Sequence, residues 1–251
     1  MILCLTYHKI LASDSQKDDD FYSVTQHTLA AQIEAALAAG YLPIELSDPA
    51  PVVAPEEKRL LLTFDDGTAD HYGIVAPLLQ KLRLRGVFFV PTAKLNQPGY
   101  LTEDQLAGLA KNHMVGCHSH IHRRLDTLPS DQLEEQLRIS CERLAHICGV
   151  PPRTFAPPGG FITPNILEAA LKLGLPIIRT MRWGFNRQLN WAALETIPIN
   201  RHTASAGQFQ KILQGKQPHF LYLCKEIIKT MVPLRAYEQM RQWLFKAGRR
   251  S

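Results

Sequence analysis

An α/β fold built on a mainly parallel sheet is what this 251-residue sequence predicts, on three observations. Short apolar runs alternate with helical patterns along the body. Several of the helical patterns carry legible start and stop signals. The residues able to do chemistry stand just after the apolar runs, at the strand ends where parallel α/β proteins gather their functional groups. The alternation by itself fits either a barrel or a doubly wound sheet.

The strand candidates are Ile2 to Tyr7, Leu60 to Phe64, Gly86 to Val90, Met114 to Cys117, Thr154 to Ala156, Leu175 to Thr180 and Glu195 to Ile199. Among the helices, Thr25 precedes an apolar stripe of Leu29, Ile33, Ala36 and Leu37 that stops at Gly40, a normal residue just past a helix end. Thr102 with Gln105 makes a capping-box pattern, and Ser130 opens the stripe Leu133, Leu137, Cys141, Leu144, Cys148. Thr163-Pro164 starts a helix that ends at Gly174. Ser47 to Glu57, rich in Pro and Ala, reads as a surface loop.

Composition sets the outer limits. With 45% hydrophobic and 20% charged residues the chain can bury one large core or two small ones, and a single main domain is the default. No stretch approaches the apolar length of a membrane span, and the first residues lack a basic leader, so a cytoplasmic protein is expected. The five cysteines are scattered without a C-x-x-C pair and are expected to be reduced.

The net charge of +5 is unevenly placed. From Phe220 to Ser251 there are seven basic residues against two acidic ones, which leaves 21 of each sign in the body. That segment also carries Ile227, Ile228, Met231, Leu234, Tyr237, Met240, Leu244 and Phe245 near helical spacing, interrupted by Pro233. Residues 206–251 therefore read as a basic amphipathic helical tail, packed on or appended to a body of residues 1–205. A peripheral contact with anionic lipid on the inner face of the membrane is the alternative to simple packing. Nothing in the tail resembles a nucleic-acid module.

The strand ends carry a specific set of groups. Asp65 and Asp66 follow Leu60 to Phe64; His118, Ser119, His120 and His122 follow Met114 to Cys117; His8 follows the first strand; Pro157-Pro158-Gly159-Gly160 follows Thr154 to Ala156. Adjacent Asp side chains leave a strand in different directions and can take two jobs. Two close carboxylates repel unless a cation stands nearby, and His118 and His122 are spaced to bind one ion from a tight loop. One Asp and two His leave open positions for water and substrate, as in a catalytic metal site.

These residues resemble the polysaccharide deacetylases, carbohydrate esterases that share a domain with chitooligosaccharide deacetylases. Thr63-Phe64-Asp65-Asp66-Gly67 looks like the family's first motif, His118-Ser119-His120-Ile121-His122 like its second, and Phe155-Ala156-Pro157-Pro158-Gly159-Gly160 like its third. Leu5-Thr6-Tyr7-His8 resembles the opening strand of members that begin with a Tyr-His pair. The resemblance covers about Ile2 to Arg187 and implies a distorted, incomplete (β/α) barrel. It also implies Asp65 as catalytic base, Asp66, His118 and His122 as ligands of one divalent ion, zinc being the first choice among first-row metals, and a groove wall including Pro158 and Gly159.

The departures are as informative as the matches. Typical members open the third motif with an Arg that braces the base, and Ala156 stands there instead. The fourth motif joins carboxylates to a Trp, whereas "RTMRWGFNR" offers Trp183, expected to bind substrate, and no Asp. For the acid that protonates the departing amine, His8 is preferred to His202 in "IPINRH", because a strand end aims it at the rim. A structural His8 that orients Asp65 is the competing reading. The expected function is metal-dependent N-deacetylation of an amino sugar in a glycan or glycolipid intermediate. The rivals are an inactive sugar-binding relative and a hydrolase of another amide or ester.

Overall fold

The computed structural model describes residues 1–16, 18–46 and 50–216. The chain divides into two compact units, Met1–Gln210 and Lys211–Ser251. The amphipathic segment expected from Phe220 onward lies outside the described residues. In chain order the elements are β1 (Ile2–Tyr7), β2 (Ile10–Leu11), β3 (Val24–Thr25), α1 (Gln26–Ala38), β4 (Leu42–Pro43) and β5 (Arg59–Phe64). A π-helical turn, His71–Val75, runs into α2 (Ala76–Lys81), followed by β6 (Val87–Val90), α3 (Glu103–Ala110), β7 (Met114–Cys117) and α4 (Ser130–Cys148). The remainder is β8 (Thr154–Phe155), α5 (Pro164–Lys172), β9 (Ile177–Trp183), β10 (Leu194–Pro198) and α6 (Ala206–Leu213).

All seven expected strands form, and they close on one another. The order β1-β10-β9-β8-β7-β6-β5 is parallel throughout, and β1 also pairs with β5, from Ile2 opposite Arg59 to Tyr7 opposite Phe64. The result is a (β/α) barrel of seven strands, which decides between the two architectures that alternation alone left open. The short β4 pairs with the first residues of β5, and β6 takes over that edge at Thr63.

Closure explains why the strands read as unbroken apolar runs: helices cover the outside, side chains fill the inside, and every residue of β1 is buried. Alternate residues point inward. Ile2, Leu61, Val87, Phe89, Ile177 and Leu194 form the apolar interior. Further along the same faces the interior turns polar, where Thr6 Oγ1 lies 2.8 Å from Thr63 Oγ1 and 2.6 Å from Thr196 Oγ1. One step beyond Thr63 on that face is Asp65, so the barrel carries its polarity towards the carboxyl ends of its strands.

The caps behave largely as their chemistry requires. Thr25 and Thr163 accept from the backbone N–H three residues on, and Thr102 and Gln105 make the reciprocal capping box. Gly40 and Gly174 take the left-handed conformation past their helices. Ser130 opens α4 as expected, but the cap position falls on Pro129, which makes no side-chain bond, and the Ser130 hydroxyl accepts from Asn165 of the next helix. Among the described residues no helix is long and apolar enough to cross a membrane.

Candidate active site

The turn after β5 is built to send two adjacent carboxylates to different neighbours. The Asp65 N–H donates to the Tyr7 carbonyl at 2.9 Å, which carries the β1–β5 ladder one residue further. Asp66 and Gly67 then both take positive φ, 75° and 63°. A Cβ at Gly67 would sit 3.0 Å from Val90 Cγ1, so a side chain there would be crowded as well as strained by the positive φ. Ser119 and His122 also have positive φ, which places three of the five such non-glycine residues among those described in this one region. Each costs roughly 1–3 kcal/mol and persists only where the surroundings hold it, as at a functional site.

That strain brings three groups together. Asp66 Oδ1 lies 3.0 Å from His122 Nε2 and 3.4 Å from His118 Nε2, and the two imidazole nitrogens are 3.1 Å apart. His118 Nδ1 lies 2.5 Å from the Ala156 carbonyl oxygen. A carbonyl only accepts, so Nδ1 carries the hydrogen and neutral His118 offers a bare lone pair at Nε2. Two imidazole nitrogens and a carboxylate oxygen thus converge on one point, a donor set that could hold a metal ion. Bonds of about 2.0–2.2 Å at tetrahedral angles would set ligand atoms roughly 3.3 Å apart, and the observed spacings match.

Asp65 has a different partner, which the sequence did not disclose. Arg179, at the third position of β9, donates from Nη2 to both Asp65 oxygens, and both side chains are buried. Ala156 follows β8 one residue beyond the Phe155–Ile178 pair, so Arg179 arrives on the neighbouring strand at the level of Ala156. A small residue there and a guanidinium one strand over supply the brace that the third motif lacks. The same Arg179 lies with its guanidinium carbon 5.1 Å from the Phe89 ring centre.

His8 Nε2 stands 3.9 Å from Asp65 Oδ2, and its ring stacks on Tyr22 at 4.4 Å. Burial lowers its pKa despite the pull of Asp66 and Asp65, so the imidazole is neutral at neutral pH. His202 is exposed and packs edge-on against Phe21 at 5.3 Å, two aromatic rings removed from His8. Pro158 is buried, and exposed Gly159 turns the chain with φ 74° beside the Phe161 ring. The Arg124 guanidinium lies 3.6 Å over that ring and is paired with Asp126. Trp183 ends β9, half-buried and paired in register with Thr196.

A buried, guanidinium-held carboxylate thus stands beside a convergent Asp-His-His cluster that could hold a metal ion, at the carboxyl ends of a parallel barrel. The family profile for polysaccharide deacetylase matches residues 53–178, half of the sequence. The chain belongs to the polysaccharide deacetylase family. A peptidoglycan-N-acetylglucosamine deacetylase of Listeria monocytogenes, PgdA, is 28% identical over 202 residues, covering 80% of this chain and 39% of the relative. Chitin deacetylase 1 of Cryptococcus neoformans var. grubii is 28% identical over 131 residues, covering 51% and 27%. The chain therefore spans well under two thirds of either relative. Among solved structures, the Streptococcus pyogenes deacetylase PplD in complex with acetate superposes with a TM-score of 0.73 at 21% identity, covering 86% of this chain and 98% of that one. IcaB from Ammonifex degensii gives 0.72 at 22%, covering 85% and 97%. At such identities these structures establish the shared fold.

Proposed function

We propose that the protein is a metal-dependent deacetylase that hydrolyses the N-acetyl group of an amino sugar in a glycan or glycolipid intermediate. The observation that carries this reading is the convergence of three lone-pair donors, 3.0–3.4 Å apart, next to a carboxylate that a buried Arg keeps out of the cluster. Asp66, His118 and His122 would hold one divalent ion, zinc suiting an Asp and two imidazoles best. When bound, the ion supplies positive charge that polarises an acyl carbonyl and acidifies a water.

The chain's own groups account for the protons. Asp65 takes a proton from the attacking water while a bond forms between the water oxygen and the acetyl carbon, and the carbonyl pair moves onto oxygen. Arg179 keeps both Asp65 oxygens fixed during that transfer. Collapse of the tetrahedral adduct breaks the C–N bond, and the nitrogen must leave with a proton. Since His8 is neutral beforehand, it takes up the proton that Asp65 has gained and passes it to the departing amine. Acetate and a free amino sugar result, and Asp65 and His8 return to their starting states. Pro158, Gly159 and Trp183 supply the walls against which the sugar would rest.

The test is acetate release from a panel of N-acetylated sugar nucleotides, lipid-linked sugars and oligosaccharides, alongside amides and esters that lack a sugar. Turnover confined to the sugar amides supports the reading. Preference for a non-sugar amide or ester would replace it with a hydrolase of another class.

A further inference from the structure

Two consecutive side chains just past the carboxylate turn, Asp70 and His71, have no part in the steps above, and both reach across to the chain that leaves β1. His71 is 0% exposed, with its ring centre 5.8 Å from Phe64 and 5.5 Å from Phe88. Its Nε2 lies 2.7 Å from the His8 carbonyl oxygen. That oxygen only accepts, so Nε2 bears the hydrogen and the tautomer of His71 is fixed. Asp70 Oδ2 accepts from the Ile10 N–H at 2.8 Å. The backbone on either side of Lys9 is thus held by neighbouring side chains, at the carbonyl before it and the amide after it.

Lys9 itself is tied the other way. Its carbonyl accepts from the Val24 N–H at 3.1 Å, and its ammonium pairs with Asp18 at 2.6 Å. Those contacts belong to the loop that lays Tyr22 against the His8 ring. His8 is therefore fixed by its backbone from one side and by its ring from the other. An imidazole is an expensive filler for a box made of Phe64 and Phe88, because its Nδ1 is buried there without a hydrogen-bond partner. A phenyl ring would fill the space at less cost but could not bind the carbonyl. The two residues also sit where the chain enters the π-helical turn His71–Val75, a widened geometry that recurs at functional sites.

We infer that Asp70 and His71 are positioning residues, which fix the backbone of His8 and so set where its imidazole stands relative to Asp65. This rests on the reading of His8 as the group that delivers the proton to the amine.

The test uses the full, metal-loaded chain. His71→Phe keeps an aromatic ring in the box and removes the donor, and His71→Gln keeps an N–H that can reach the same carbonyl. Misplacing a reacting group by about 1 Å costs up to ~100-fold, so His71→Phe should lower kcat by about tenfold to a hundredfold. KM and metal content should be unchanged, and His71→Gln should recover most of the loss. In a His8→Ala background His71→Phe should cost almost nothing more, since nothing is left to position. An equal loss in both backgrounds would overturn the inference and make His71 a packing residue. If His8→Ala itself leaves turnover intact, the proton-delivery reading fails, and the clamp is judged without activity: the ring NMR signals of His8 should move in His71→Phe and the Ile10 amide should exchange faster. Unmoved signals would overturn it. Should His71→Phe fail to fold, Asp70→Ala, which removes only the acceptor for Ile10, is put through the same comparisons with the same criteria.

Discussion

Replacing Arg179 with Gln removes the charge that faces Asp65 and leaves a shorter, neutral polar side chain. Asp65 is 2% exposed and Arg179 1%, so solvent cannot take over from the missing guanidinium. Breaking a buried pair by deleting one partner costs about 3–5 kcal/mol, which for a unit of this size is ~6–20 °C in Tm. The exposed pairs that Arg138 makes with Glu135 and Glu142 give the control, and Arg138→Gln should leave Tm nearly unchanged. In activity, a base free to swing towards the cluster loses its orientation, so kcat should fall by about a hundredfold with metal content unchanged. Replacing both partners, with Asp65→Asn and Arg179→Gln, should recover part of the lost stability while activity stays absent. Calorimetry, acetate release and metal analysis on the same samples read all of these. An Arg179→Gln protein with the parent's Tm and kcat would show that Arg179 neither stabilises nor orients Asp65, and one that had lost its metal would assign Arg179 to the cluster instead of to Asp65.

Three further outcomes follow from the same geometry. Asp66→Ala, His118→Ala and His122→Ala should each abolish the binding of about one divalent ion per chain, measured by equilibrium dialysis, since a three-residue site does not survive the loss of one ligand. His8→Ala should lower kcat on an N-acetyl sugar by about a hundredfold and spare an activated aryl acetate, whose leaving group needs no proton; His202→Ala should do much less on either substrate. His8, His113 and His120 are all lowered by burial, so the unfolded chain takes up protons that the native one refuses. Their contribution to stability is complete above about pH 6.5 and is lost as pH falls below it, so the urea midpoint of metal-free protein should decline from about pH 6.5 downward and be flat just above.

The parts of this structure legible in the sequence are those fixed by local chemistry. Seven strands could be read because parallel strands covered on both faces are unbroken apolar runs, and the Thr25, Thr102 and Thr163 caps because their side chains answer to backbone three residues away. The two-residue strands β2, β3 and β4 exist only by register against a neighbour and carry no pattern of their own. Gly73 and Pro77 hid the π-helical turn and α2, where they interrupt the helical period. Within the site, Asp65, Asp66, His118 and His122 could be placed at strand ends and are found together there. Arg179 could not be paired with Asp65, which is 114 residues away in sequence. One signal was present: a charged residue inside "LPIIRT", in a strand buried on both faces, must have a buried partner of opposite charge. The contacts of Asp70 and His71 to the chain beyond β1 are of the same long-range kind and left no local trace.

A metal held by Asp66, His118 and His122 and a proton acceptor at Asp65 should act together in turnover yet be separable. Acetate release from an N-acetylated amino sugar, followed in parent and Asp65→Asn protein after chelation and again after one equivalent of divalent ion is restored, tests it most directly. The parent should lose turnover on chelation and regain it with the ion, while Asp65→Asn should bind the ion as tightly as the parent and stay inactive throughout. Turnover by the chelated parent would show that no metal is needed, and recovery by Asp65→Asn once its metal is restored would remove Asp65 as the proton acceptor.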